Sequence, residues 1–326
     1  MTITTHPSPF WAAALALAAG LWVGPAQAAE QWNLVGSDRF TVPTGLYRSQ
    51  GLATDGQQWY FSWQYGLERA ALHDFASLQR NSNLNLVTGK LTPGIPLELI
   101  AGFGASHIGD IDTYGGKIYA PIEDGNKRAD GSRYLNPLIG VFNASDLSYT
   151  GSFYKLSHDD LHAGVPWVAV DGAQGLAYTA EWDDTVRINI HSLSDFSSRG
   201  YLALDRPLDR IQGAKVWNGG LYASTDDANK TVYRIDLSTG HVDELFREDF
   251  GAPAGTKIEV EGLSFLQTAD KGSLHVLRIV GDAGNLADPA LHVALDHYAL
   301  APVPEPASLG LMLAGLGLLL GVSRRR

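Results

Sequence analysis

Cysteine is absent from all 326 residues. No disulfide, thiolate metal site or cysteine nucleophile is therefore available. The central stretch 29–302 is long enough to bury a core without covalent staples. The familiar catalytic signatures are missing too. There is no G-x-S-x-G, no Walker loop, no dinucleotide fingerprint, no H-E-x-x-H and no twelve-residue calcium loop. Gly102-Phe103-Gly104 is rich in glycine but opens onto a β context. Positive charge is also scarce, with 24 Lys and Arg against 35 Asp and Glu. Setting aside the last two dozen residues, which hold three Arg and one Glu, leaves 21 basic and 34 acidic groups, a net charge of −13. That excludes nucleic acid as an expected partner and suits cations or a surface that must stay soluble.

Charge of either sign is missing from the first 28 residues, apart from the terminal amine and a titratable His6. Trp11 to Val23 is a short apolar run, and Ala26-Gln27-Ala28 is an A-x-A cleavage pattern. Residues 1–28 therefore read as a signal peptide cut after Ala28, passed through the export machinery. The alternative is a retained N-terminal anchor, which the shortness of the run disfavours.

What is present is most distinctive at the other end. Residues 307–322 are uncharged and apolar apart from Ser308, near the lower limit for crossing a bilayer core of about 30 Å. Arg324, Arg325 and Arg326 follow at once and are costly to translocate, which places them on the cytoplasmic side. Pro304-Glu305-Pro306 stands immediately before the run, and two prolines in three residues deny a helix there. A Pro-Glu-Pro, one membrane span and a terminal Arg cluster, in that order, resemble the PEP-CTERM sorting domain of Gram-negative bacteria. The resemblance covers residues 303–326 only. It implies processing by an exosortase-type enzyme, a transient inner-membrane anchor, and delivery to a cell surface or matrix rich in exopolysaccharide, as in a biofilm.

Between the two ends, helix-period stretches are few, and Leu67 to Arg80 is the one candidate for a short helix. The rest alternates aromatic or β-branched residues with polar ones. Five segments share one grammar, a small-residue strand, a Gly-rich turn and an aromatic strand. They begin at Gln50, Ile108, Pro166, Gln212 and Glu261, with spacings of 58, 58, 46 and 49 residues. A four-stranded propeller blade needs roughly 40–50 residues. Insertions at Leu67 to Thr88 and Gly125 to Asn136 account for the longer two spacings. Asp55-Gly56, Gly115-Gly116, Asp171-Gly172, Asn218-Gly219 and Lys271-Gly272 supply the hairpin turns.

The fifth repeat lacks an outer strand, and the stretch from Gln31 to Val42 lacks a partner. Joining them closes the ring and removes two exposed edges. The expected fold is thus an all-β propeller of five blades, with six as the alternative if an insertion hides one. Gly51, Gly109, Gly213 and Gly262 fall on innermost strands, where a missing side chain lets backbones approach; Trp167 takes that place in the third repeat. The pattern resembles generic bacterial β-propellers. Glu261-Gly262-Leu263 is similar to a segment of esterase-like and phytase-like propellers, which implies a calcium-dependent hydrolase as a second reading.

Acidic residues gather at equivalent strand ends: Glu123 and Asp124, Asp183 and Asp184, Asp226 and Asp227, with Asp282 in the fifth repeat. Such carboxylates suit calcium, though Asp pairs more often shape turns. His107 with Asp110 and Asp112, and His158 with Asp159, Asp160 and His162, form His/Asp loops before the second and third inner strands. They offer general-base or metal chemistry, though loop histidines are more often solvated than ligating. Trp63 and Trp182 stand at the ends of second strands, where an exposed ring stacks on sugar. The expected protein is a binding or scaffolding propeller near exopolysaccharide rather than an enzyme. The hydrolase would need His107, His162, Asp124, Asp184 and Glu261 to converge at one channel mouth.

Overall fold

The computed structural model describes residues 30–248, 255–268 and 272–301. The expected signal peptide, the sorting tail and the apolar segment 307–322 lie outside these residues. Among the described residues no helix is long and apolar enough to cross a membrane.

Five antiparallel sheets form the five blades of a propeller. Blade 1 consists of strands Gly51–Thr54, Gln58–Trp63, Gly66–Ala71 and Ser77–Arg80, from the axis outwards. Blade 2 has a split inner strand, His107–Ile108 and Asp112–Tyr114, then Lys117–Asp124, Leu135–Asn143 and Tyr149–Lys155. Blade 3 runs through Ala169–Asp171, Leu176–Thr179, Thr185–Ser192 and Ser198–Leu208. Blade 4 runs through Ile211–Trp217, Gly220–Thr225, Thr231–Asp236 and Val242–Arg247. Blade 5 takes Ile258–Thr268, Gly272–Val280 and His292–Leu300 from the end of the body, and its outer strand, Trp32–Thr41, from the beginning. That strand pairs in register from Trp32 opposite Leu300 to Thr41 opposite His292, which closes the ring as the sequence predicts.

Each seam between neighbouring blades is filled by its own apolar cluster. Tyr60 and Leu67 of blade 1 meet Ile118, Ile122 and Phe142 of blade 2. Trp59 and Phe61, on the other face of blade 1, meet Phe40, Leu277 and Leu295 of blade 5. Alternation along one strand thus feeds two cores, which is why second strands are almost wholly buried. Trp59 and Trp167 are buried in this way.

Two local expectations are corrected. Leu67 to Arg80 is no helix; it supplies the third and fourth strands of blade 1. Its Leu, Glu, Arg and Ala are good helix formers, but Glu68 is fully buried and bridged by Arg48 and Arg80 at 2.8 and 3.0 Å. Tertiary pairing overrides propensity there. The first insertion accordingly starts later, after Arg80, and carries a ribbon of Asn83–Leu84 with Leu91–Thr92 and a helix at Leu97–Phe103. Among the turns, Asn218 and Gly219 both take positive φ, 46° and 75°, as a tight hairpin requires. In the third repeat the positive φ sits at Gly175, not Gly172.

Candidate functional site

The propeller axis is closed rather than open. Asp110, expected on a rim, is fully buried at the axis. Its carboxylate accepts from the Lys215 ammonium at 2.6 Å and from the Leu52 N–H at 3.0 Å. Its own N–H donates to the Pro166 carbonyl at 2.8 Å, so one residue ties the inner strands of blades 1, 3 and 4 to blade 2. Gly51, Gly213 and Gly262 make this arrangement fit, since a Cβ on any of them would meet Asp110 atoms. Burial pushes the Asp110 carboxyl up, to about 7, against the pull of Lys215.

On the face where inner strands begin and second strands end, the axis opens into a cavity of about 350 Å³. Every blade contributes to its lining. Blade 1 gives Gln50 and Gln64, blade 2 His107 and Glu123, blade 3 Trp182, and blade 4 Gln212. Glu259 and Glu261 come from the inner strand of blade 5. A hydrogen-bonded chain crosses the cavity floor. Glu123 accepts from Val165 N–H at 2.7 Å and meets His107 Nδ1 at 3.1 Å. His107 Nε2 meets the Gln50 amide oxygen at 2.6 Å, and the Gln50 amide nitrogen reaches Glu261 at 3.4 Å. Gln212 reaches Glu259 at the same long distance, 3.4 Å.

The two blade 5 carboxyls are therefore weakly partnered. Glu261 is 3% exposed. Burial, then the repulsion of Glu259 and Asp226, pushes its carboxyl well above the usual range. Burial and Asp226 raise Glu259 in the same direction. Glu261 in its neutral form presents both a donor and an acceptor to the cavity. Trp182 forms one wall, with the Arg210 guanidinium 5.0 Å from its ring centroid.

Of the residues singled out from sequence, His107, Glu123, Glu261 and Trp182 come together here. The others do not line the cavity. Asp124 is held by Arg128 at 3.0 Å and Asn126 at 2.8 Å; burial opposes its ionisation, but these donors keep its carboxyl below the usual range. Asp226 is paired with Arg210 and Lys230. Asp227 shapes its own turn by accepting from Asn229 N–H at 2.8 Å. Asp183 shares a hydrogen bond with Asp209, which with burial pushes it up to about 6. Asp184, His158 and His162 are exposed. Trp63 is only 5% exposed, donates to Ser82 Oγ at 2.7 Å, and packs edge-on against Tyr47, so it is no sugar platform at the mouth. Among the described residues no three His, Asp or Glu are grouped so as to hold a metal ion.

Sequence reasoning missed Gln50, Gln64, Gln212 and Glu259. A signal for two of them was present. Gln50, Gln212 and Glu261 each precede an axis glycine, so the residue before that glycine is the one that faces the mouth.

Residues 302–326 match the PEP-CTERM protein-sorting motif. The chain therefore carries the tail of an exported protein processed by an exosortase-type enzyme, attached to a five-bladed propeller. No curated protein matches this sequence. Among solved structures, a chain of a nidogen/laminin complex is similar over 66% of this chain and 83% of its own, at 15% identity and a TM-score of 0.41. Hydrazine synthase of Kuenenia stuttgartiensis is similar over 80% of this chain and 68% of its own, at 11% identity and a TM-score of 0.40.

Proposed function

We propose that this protein is an exported propeller that binds a saccharide unit of exopolysaccharide at the channel mouth, and binds it without turning it over. The observation that carries the reading is the lining itself. Three Gln amides, Glu259, Glu261 and His107 surround a cavity walled by Trp182. Amides and carboxyls pair with the hydroxyls of a sugar, and an aromatic wall packs on its apolar ring face. The long contacts of 3.4 Å at Glu259 and Glu261 leave acceptor capacity for such hydroxyls. The sorting tail supports the setting. In this reading residues 307–322 anchor the chain briefly in the inner membrane of a Gram-negative cell, with Arg324 to Arg326 in the cytoplasm, until processing releases the body to the matrix.

The test is retention of the purified full chain on immobilised matrix polysaccharides and on a glycan array. Binding is expected, and Trp182→Ala is expected to weaken it about tenfold by removing the stacking wall. Failure to retain the chain on any polymer, or equal retention of the Trp182→Ala variant, would overturn the assignment of this cavity.

A further inference from the structure

A second cavity, of about 340 Å³, adjoins the first between blades 5 and 1. The two share Gln50, Gln64, Glu259 and Ala283. Past those residues the chemistry changes. Leu46, Trp63, Leu84, Ile279, Leu286 and Leu291 line the second cavity. Ser49 and His292 are its further polar members, and the rest of its lining is mostly aliphatic and aromatic. Trp63 is fixed there by its bond to Ser82 and by edge contacts with Tyr47 and Tyr65 at 5.0 and 5.2 Å. Leu286 is 46% exposed in a loop otherwise made of Gly, Ala, Asp, Asn and Pro between Gly281 and Ala290. A large apolar side chain held at the edge of an apolar cavity, within a small polar loop, is placed to cover something apolar.

We propose that the two cavities are one continuous site for an amphipathic glycoside, with its sugar in the mouth and an alkyl or acyl chain in the apolar arm. This rests on the saccharide reading of the mouth and adds the class of ligand. Pockets of a few hundred Å³ with an apolar body and a few convergent polar groups are the usual form of small-molecule sites. Here the polar groups select the head and the arm selects the tail.

The experiment is calorimetric titration of the purified full chain with methyl and octyl β-glucoside, the latter below its micelle concentration. The octyl compound is expected to bind at least about tenfold more tightly, because methylenes leave water for the arm. Leu286→Asp is expected to abolish that gain while leaving the methyl glucoside affinity unchanged. Leu286 is 46% exposed and belongs to none of the five apolar clusters described between the blades, so the variant keeps the fold. Equal affinity of the two glucosides, or a gain that survives Leu286→Asp, overturns the apolar arm and leaves the saccharide reading standing. Octyl glucoside binding that is unaffected by Trp182→Ala shows a detergent contact only and also overturns it. If neither glucoside binds, both the arm and its saccharide premise fall.

Discussion

The axis and the mouth of the propeller both bury carboxyl groups, yet they treat them differently. At the axis, Asp110 has the Lys215 ammonium at 2.6 Å and a backbone N–H at 3.0 Å. At the mouth, Glu261 has one amide nitrogen at 3.4 Å. Both carboxyls pay for desolvation, and burial raises both. Only the axis offsets that cost with a directly bonded cation; at the mouth Arg210 acts on Glu261 from a distance. The axis carboxylate is fully buried and occupied in joining blades 1 and 4 to blade 2, so it has nothing to offer a ligand. The mouth carboxyls stay poorly paired in the folded protein, which is the condition for a group that meets an incoming hydroxyl.

The largest effect should come from breaking the axis. Lys215→Met leaves Asp110 buried with no cation, and loss of one partner of a buried pair costs about 3–5 kcal/mol. Urea unfolding at neutral pH should show a correspondingly lower midpoint. The double variant Asp110→Asn with Lys215→Met should recover most of the loss, because an amide still accepts from Leu52 N–H without a charge to desolvate. A Lys215→Met protein as stable as the parent would show that the pair is not what holds the inner strands together.

Why the axis was misread and the ring was not follows from the same contrast. Five repeats, their spacings and the unpaired N-terminal strand were legible because blade formation uses local alternation and turn residues, which recur along the chain. One further repeat was visible but unread: Asp74 with Ala76, Asp146 with Ser148 and Asp195 with Ser197 make the same turn between third and fourth strands, each Asp accepting from the N–H two residues on, with the residue between them at positive φ. Asp110 looked like its rim neighbours because its partner, Lys215, is 105 residues away. The helix expected at Leu67 to Arg80 failed for the same reason, since Arg48 lies outside any local window. Half of the site was legible for the opposite reason. His107, Glu123 and Trp182 stand at strand ends that the repeat already aligned, while Glu259 is placed by the closing blade.

A smaller effect is expected from crowding the axis without touching its charges. Gly213 lies against Gly262, and an added Cβ would sit 2.5 Å from the Gly262 Cα and 2.8 Å from Asp110 Oδ2. Gly213→Ala should therefore cost about 1–3 kcal/mol, the usual range for overpacking. Its cost, measured relative to Asp110→Ala alone, should shrink in the Asp110→Ala background only if the side chain, rather than the neighbouring backbone, is the obstacle. The same substitution at Gly56, where no atom lies within 4 Å, tests the turn alone, since its φ of 82° strains any side chain.

The smallest effect belongs to the mouth and has the opposite sign. The folded protein holds the Glu261 proton more tightly than the unfolded chain does, because burial and Glu259 raise its carboxyl. The stability tied to that proton is complete below the unfolded value of about 4.3, and it is lost as pH rises towards the folded value. Asp110 and Glu259 shift in the same direction, so the parent should lose stability from acid towards neutral pH for several reasons at once. Glu261→Gln removes one of these contributions, because an amide has no proton to lose. Its urea midpoint should equal the parent's near pH 4 and exceed it near pH 8. A buried carboxyl whose removal stabilises the fold is not there to hold the fold. If Glu261→Gln instead weakens the protein at pH 8, the mouth carboxylate is as structural as the axis one, and the division between the two regions disappears.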